Sequence, residues 1–149
     1  MTGIVFPQWA ALGLPIEDYR ITYEAMRVQG SDFFGSVTFP VGAVERCVTF
    51  VLGGWGGQQV GISSIDGLDA ASNETGSAQP LQSGRWYRVR LEVRGYLLQA
   101  WLDDRPLLRL DTFGRHLSLR GGEIEKCAPF GFATYGTEGR MRHCVIERL

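Results

Sequence analysis

Residues 85–95 read RWYRVRLEVRG. Tyr87, Val89, Leu91 and Val93 fall on one side of an extended chain and Arg88, Arg90, Glu92 and Arg94 on the other, because successive strand side chains point to opposite faces. This is the pattern of a half-buried β-strand; in a helix the apolar positions would recur every three to four residues. The same period returns upstream in DYRITYEAMRV (18–28), where Tyr19, Ile21, Tyr23 and Ala25 oppose Arg20, Thr22 and Glu24. Between these two segments lie the β-branched and aromatic runs SVTFPV (36–41), CVTFVL (47–52) and QQVGIS (58–63). Downstream come LLQAWL (97–102), LLRLD (107–111), PFGFATYG (129–136) and MRHCVIERL (141–149). Gly95-Tyr96 and the Asp103–Pro106 stretch read as turns, the latter as the tip of a hairpin. Strands at intervals of about 8–12 residues with Gly and Asp turns predict an all-β fold, two antiparallel sheets packed as a sandwich or jelly roll, in which any helix is short.

The 149 residues fit a single domain, 1–149. No apolar run approaches the ~18 residues of a membrane-spanning helix, so no membrane is expected as a partner. A net charge of −1 provides no field to gather phosphates, and nucleic acid is not expected either. Of the fifteen basic residues only Lys126 is lysine; the arginines are dispersed and read as solvated surface positions. Cys47, Cys127 and Cys144 allow at most one disulfide and form no CxxC pair, so buried free thiols are expected rather than a structural zinc. The first residues, MTGIVFPQWAALGLP, lack the basic and long apolar regions of a signal peptide.

The stretch GGWGGQQVGISSIDGLDAASNET (53–75) combines four glycines around Trp55 with Asp66, Asp69, Asn73 and Glu74. Glycines let backbone approach a ligand closely, and an indole face stacks on the apolar face of a sugar while carboxylates and amides take the hydroxyls. On this reading Asp66 and Glu74 are catalytic candidates and Trp55, Asp69 and Asn73 substrate-binding ones. The oxygen-rich set also suits calcium, although its spacing is not that of an EF-hand loop. The structural alternative is a glycine-bulged strand with Trp55 in the core, Asp66-Gly67 as a tight turn and Asn73 as a loop cap.

Outside that stretch, Asp32 precedes two phenylalanines and is either a candidate base or a strand-initiating turn residue. Trp86 shares a strand face with Arg88 and Arg90, a surface able to hold sugar or carboxylate by stacking and bidentate bonds, or simply an aromatic covered by arginine stems. His143 has the parity of Met141 and Val145 and is expected as a packed or edge histidine.

Together, SDFFGSVTFPVG (31–42), GGWGG, SSIDGLDA, SNET, RWYRVRLEV and AWLDD resemble the bacterial 3-keto-disaccharide hydrolase-type domain, within the concanavalin A-like, laminin G-like jelly rolls. The likeness covers roughly residues 16–149. It implies two antiparallel sheets, one of them concave, a saccharide ligand and members that are often exported. The chemistry it implies acts on sugars oxidised at C3: a base removes the C2 hydrogen and the glycosidic oxygen leaves. Ser31-Asp32-Phe33-Phe34-Gly35 and Ala133-Thr134-Tyr135 depart from the pattern where relatives carry polar site residues. The expected function is therefore saccharide-directed, cleaving glycosidic bonds of oxidised sugars, or alternatively a non-catalytic lectin-like or protein-interaction module. Strands that usually precede TGIVFP in such sandwiches are not evident, and the resulting open sheet edge predicts pairing with a second copy or with an excised part of the same protein.

Overall fold

The computed structural model describes residues 1–149. Eleven strands form two antiparallel sheets with no α-helix, an antiparallel two-sheet β-sandwich as the strand periodicity predicts. The strands are β1 (Thr2–Val5), β2 (Tyr19–Gly30), β3 (Phe34–Pro40), β4 (Cys47–Gly54), β5 (Gln59–Ser63), β6 (Ser77–Ala78), β7 (Trp86–Arg94), β8 (Leu97–Leu102), β9 (Arg105–Asp111), β10 (Gly131–Thr134) and β11 (Thr137–Arg148). One sheet runs β1-β10-β3-β4-β5-β6 and the other β11-β2-β7-β8-β9. A single 3-10 turn, η1 (Glu123–Cys127), precedes β10.

The core lies between the sheets. Tyr19, Ile21, Tyr23 and Ala25 of β2 and Tyr87, Val89, Leu91 and Val93 of β7 are all buried, which is the inward half of each alternation. They meet Phe34, Val37, Phe39, Val48, Phe50 and Ile62 from the opposite sheet in one apolar cluster. The buried phenols keep their polar tips satisfied, since Tyr23 donates to the Gly35 carbonyl at 2.7 Å and Tyr19 to that of Pro40. Asp103 and Asp104 both take positive φ, 50° and 64°, as the tight β8–β9 turn requires.

Three sequence expectations change here. Cys47 and Cys127 are buried free thiols, but Cys144 is exposed. His143 lies on an edge strand as anticipated but is not packed: a bulge after Arg142 breaks the parity with Val145, and the exposed ring bonds Glu24 at 2.9 Å. The arginines are not uniformly solvated, because Arg27 continues the inward row of β2 and is 4% exposed.

Candidate functional site

Arg27 explains the glycine-rich stretch. Its guanidinium donates to the carbonyls of Asp32 (3.1 Å), Gly53 (3.4 Å) and Gly57 (2.8 Å) and lies 4.6 Å from the Phe34 ring centroid. One buried cation thus ties the 31–33 loop to the 53–57 turn. Gly53, at φ 85°, leaves room for it: a Cβ there would stand 2.6 Å from Nη2 of Arg27 and 2.8 Å from the Phe34 ring. With the turn closed around the guanidinium, Trp55 at its tip has φ 46° and its side chain projects outward, leaving the residue 42% exposed. The indole is therefore not a core residue, and its presentation depends on a backbone held from beneath.

Trp55 forms one wall of a hollow of about 470 Å³ on the outer face of the β3-β4-β5 sheet, within the usual range for small-molecule sites. The floor comes from the outward row of that sheet. Thr38, Thr49 and Ser63 are directly paired across β3, β4 and β5, and Thr49 and Ser63 reach the hollow. Phe33 and Tyr135, stacked at 6.0 Å, line it as well, and the Tyr135 amide donates to the Phe33 carbonyl at 3.1 Å. The Arg120–Ile124 segment closes it, with Arg120 5.2 Å from the Trp55 ring centroid and Glu123 paired at 3.4 Å with the amine of Met1, which also lines the hollow. Asp32 faces the same space; one of its carboxylate oxygens accepts the Phe33 amide at 2.8 Å and its own amide donates to Thr137.

Of the residues singled out from sequence, the structure brings Asp32 and Trp55 together and leaves the others elsewhere. Asp66 opens a tight turn, with φ 50° followed by Gly67 at 79°, and Ile65 and Leu68 exchange backbone hydrogen bonds across it. Its carboxylate accepts the His116 amide at 2.8 Å and a hydrogen bond from Arg115, whose other arm reaches Glu74 at 2.8 Å. The His116 amide first, and the Arg115 guanidinium second, hold the Asp66 carboxyl below the usual aspartate range. Asp69 accepts the Ala71 amide at 3.1 Å, while Asn73 donates to the carbonyls of Ile62 and Leu68 and accepts from Thr75. These four side chains organise their own loop and do not line the hollow.

Between Asp66 and Glu74, in the oxygen-rich set that suits calcium by composition, stands the Arg115 guanidinium, and no group of three or more His, Cys, Asp or Glu side chains is arranged to hold a metal. Trp86 and Arg88 belong to the other sheet: Arg142 lies 3.8 Å from the Trp86 ring centroid, and Arg88 meets Asp104 at 3.4 Å. Both are remote from the Trp55 hollow in the topology. Sequence reasoning missed Arg27, Phe33, Tyr135, Thr49, Ser63 and Arg120. Arg27 was detectable, because it follows Tyr19, Ile21, Tyr23 and Ala25 in phase. Nothing local marks Arg120.

No protein-family model matches the chain, and a search of curated proteins finds no match. Solved structures do match. A carbohydrate-binding module of Bacillus subtilis, CBM66, superposes with a TM-score of 0.54 at 13% identity, over 88% of this chain and 75% of that one. Domain 4 of AbnA, a GH43 extracellular arabinanase of Geobacillus stearothermophilus solved with arabinotriose, gives 0.52 at 10% identity, over 89% and 61% respectively. Sheep galectin-11 gives 0.51 at 10% identity, over 97% and 96%. The likeness is one of fold. It supports the sandwich architecture of carbohydrate-binding modules and galectins, whereas the narrower resemblance to 3-keto-disaccharide hydrolases rests on the sequence segments alone.

Proposed function

We propose that this domain binds saccharide in the hollow between Trp55 and Asp32. The single observation behind this reading is an exposed indole held at a left-handed backbone position over a floor of hydroxyls, with a half-engaged carboxylate in the same space. A sugar ring presents an apolar face that an indole covers and an equatorial rim of hydroxyls that Asp32, Thr49 and Ser63 can bond. Carbohydrate-binding modules and galectins among the structures of similar fold lend support to this ligand class.

Calorimetry against an oligosaccharide panel tests it. Trp55→Ala should weaken the best ligand by at least about tenfold, about 1.4 kcal/mol, while leaving thermal unfolding unchanged; silence on every glycan refutes the reading. A catalytic version is favoured by one observation, that Asp32 and Arg120 share the hollow. Asp32 would remove the C2 proton next to a ketone at C3 and Arg120 would steady the enolate, whose electron pair forms the C1=C2 bond as the C1–O bond breaks and the leaving oxygen takes a proton from Asp32 or water. Release of aglycone from a 3-keto-glucoside, abolished by Asp32→Asn, would support it, and binding without turnover would leave the lectin-like role.

A further inference from the structure

Strands β1 and β11 each end their sheet, and both flank a second hollow of about 600 Å³ to which Ile4, Phe6, Phe132 and Met141 contribute. The apolar side chains here are unusually bare: Ile4 is 58% exposed, Val5 43%, Phe6 44% and Val145 50%. On β11 the register against β2 jumps from Arg142↔Glu24 to Val145↔Thr22, so His143 and Cys144 share one place on the ladder. The bulge divides the free edge into two short runs, Gly139–Arg142 and Val145–Arg148. Cross-strand partners put Arg140, Arg142, Val145 and Glu147 on the outer face, and Met141 and Ile146 on the inner.

We propose that β11 pairs antiparallel with β11 of a second copy of this chain, the two-fold axis passing at the His143–Cys144 bulge. In this register the run Gly139–Arg142 lies against Val145–Arg148 of the other copy. Arg140 then faces Glu147 twice across the axis, Arg142 faces Val145 on the outer side and Met141 faces Ile146 on the inner side. An unbulged strand could not pair in this way, since partners seven residues apart in number would point to opposite faces. The extra residue at the bulge restores the match on both sides of the axis.

Both charges are available for it. Arg140 makes no ion pair within the chain, and the one contact of Glu147 is with Arg20 at 3.9 Å. Such an isologous contact closes on itself, and it removes from water a strand edge together with Val145, which is 50% exposed in the single chain.

Sedimentation equilibrium of the full chain, from micromolar to millimolar concentration, tests the pairing. The wild type should show a monomer–dimer equilibrium. Arg140→Glu and Glu147→Arg each replace two attractions by two repulsions and should each weaken the dimer about tenfold. The doubly reversed variant should return to within about threefold of wild type, because opposite charges face each other again. Thermal unfolding of the variants at low concentration confirms that the fold is intact. A wild-type chain that stays monomeric throughout overturns the proposal. So does a dimer indifferent to both single reversals, or one that the double reversal fails to restore.

Discussion

Replacing Gly53 and Gly56 by alanine, one at a time, separates the two demands made on the Trp55 turn. Both glycines have left-handed backbone, φ 85° and 93°. Either alanine therefore bears the steric cost of that conformation, about 1–2 kcal/mol. At Gly56 nothing lies within 4 Å of the added Cβ, and that cost is the whole effect. At Gly53 the new atom would sit 2.6 Å from Arg27 and 2.8 Å from Phe34, so the guanidinium must move. Its bonds to the carbonyls of Asp32, Gly53 and Gly57 then stretch or break.

Overpacking adds about 1–3 kcal/mol, and a weakened bond from a charged donor to a buried carbonyl about 1.5–3 kcal/mol. Gly53→Ala should thus destabilise by about 3 kcal/mol more than Gly56→Ala, a further fall in Tm of about 6–12 °C at this chain length. Equilibrium urea denaturation with unchanged m-values is the assay. In an Arg27→Met background the extra cost of Gly53→Ala should shrink, since the guanidinium and its three carbonyl bonds are gone and only the contact with the Phe34 ring remains. Equal losses at the two glycines, or strict additivity with Arg27→Met, would refute the view that one buried arginine shapes this turn.

Two further outcomes follow from the charge and thiol environments. The Asp66 carboxyl titrates below its unfolded value, so its bonds to His116 and Arg115 stabilise the 65–75 loop above about pH 4 and are lost as the pH falls through the depressed value. Hydrogen exchange should show that loop opening before the core on acidification, and Asp66→Asn should flatten the response; no difference between loop and core would count against it. For the thiols, the dilute native chain should react first at Cys144, the one cysteine open to solvent; burial pushes all three thiols up, Cys47 to about 11, but Cys47 and Cys127 are also closed off from reagent. Mass analysis after brief alkylation at neutral pH should find the label on Cys144 alone, and on all three after unfolding.

The strands were legible in the chain because their evidence is local. In β2 and β7 a period of two sorts each residue by face within a single strand, and Gly95 and Asp103-Asp104 mark turns by their own backbone needs. The same locality made Trp55 visible as an indole among glycines, and Asp32 as a polar residue before two phenylalanines. The 66–74 loop misled for a related reason. A run of carboxylates and amides looks alike in sequence whether it converges on a ligand or on its own backbone.

Which of these it is depends on residues far along the chain. Arg115 captures Asp66 and Glu74 from 49 and 41 positions away. Amino-acid order by itself determined an antiparallel sandwich, since alternation fixes which side of each strand seeks a core. Only the tertiary structure decided that Arg27 enters that core to join two loops, and that Asp32, Thr49, Trp55, Ser63, Arg120 and Tyr135 border one hollow. Periodicity records a strand's facing but not its neighbours, and a site is made of neighbours.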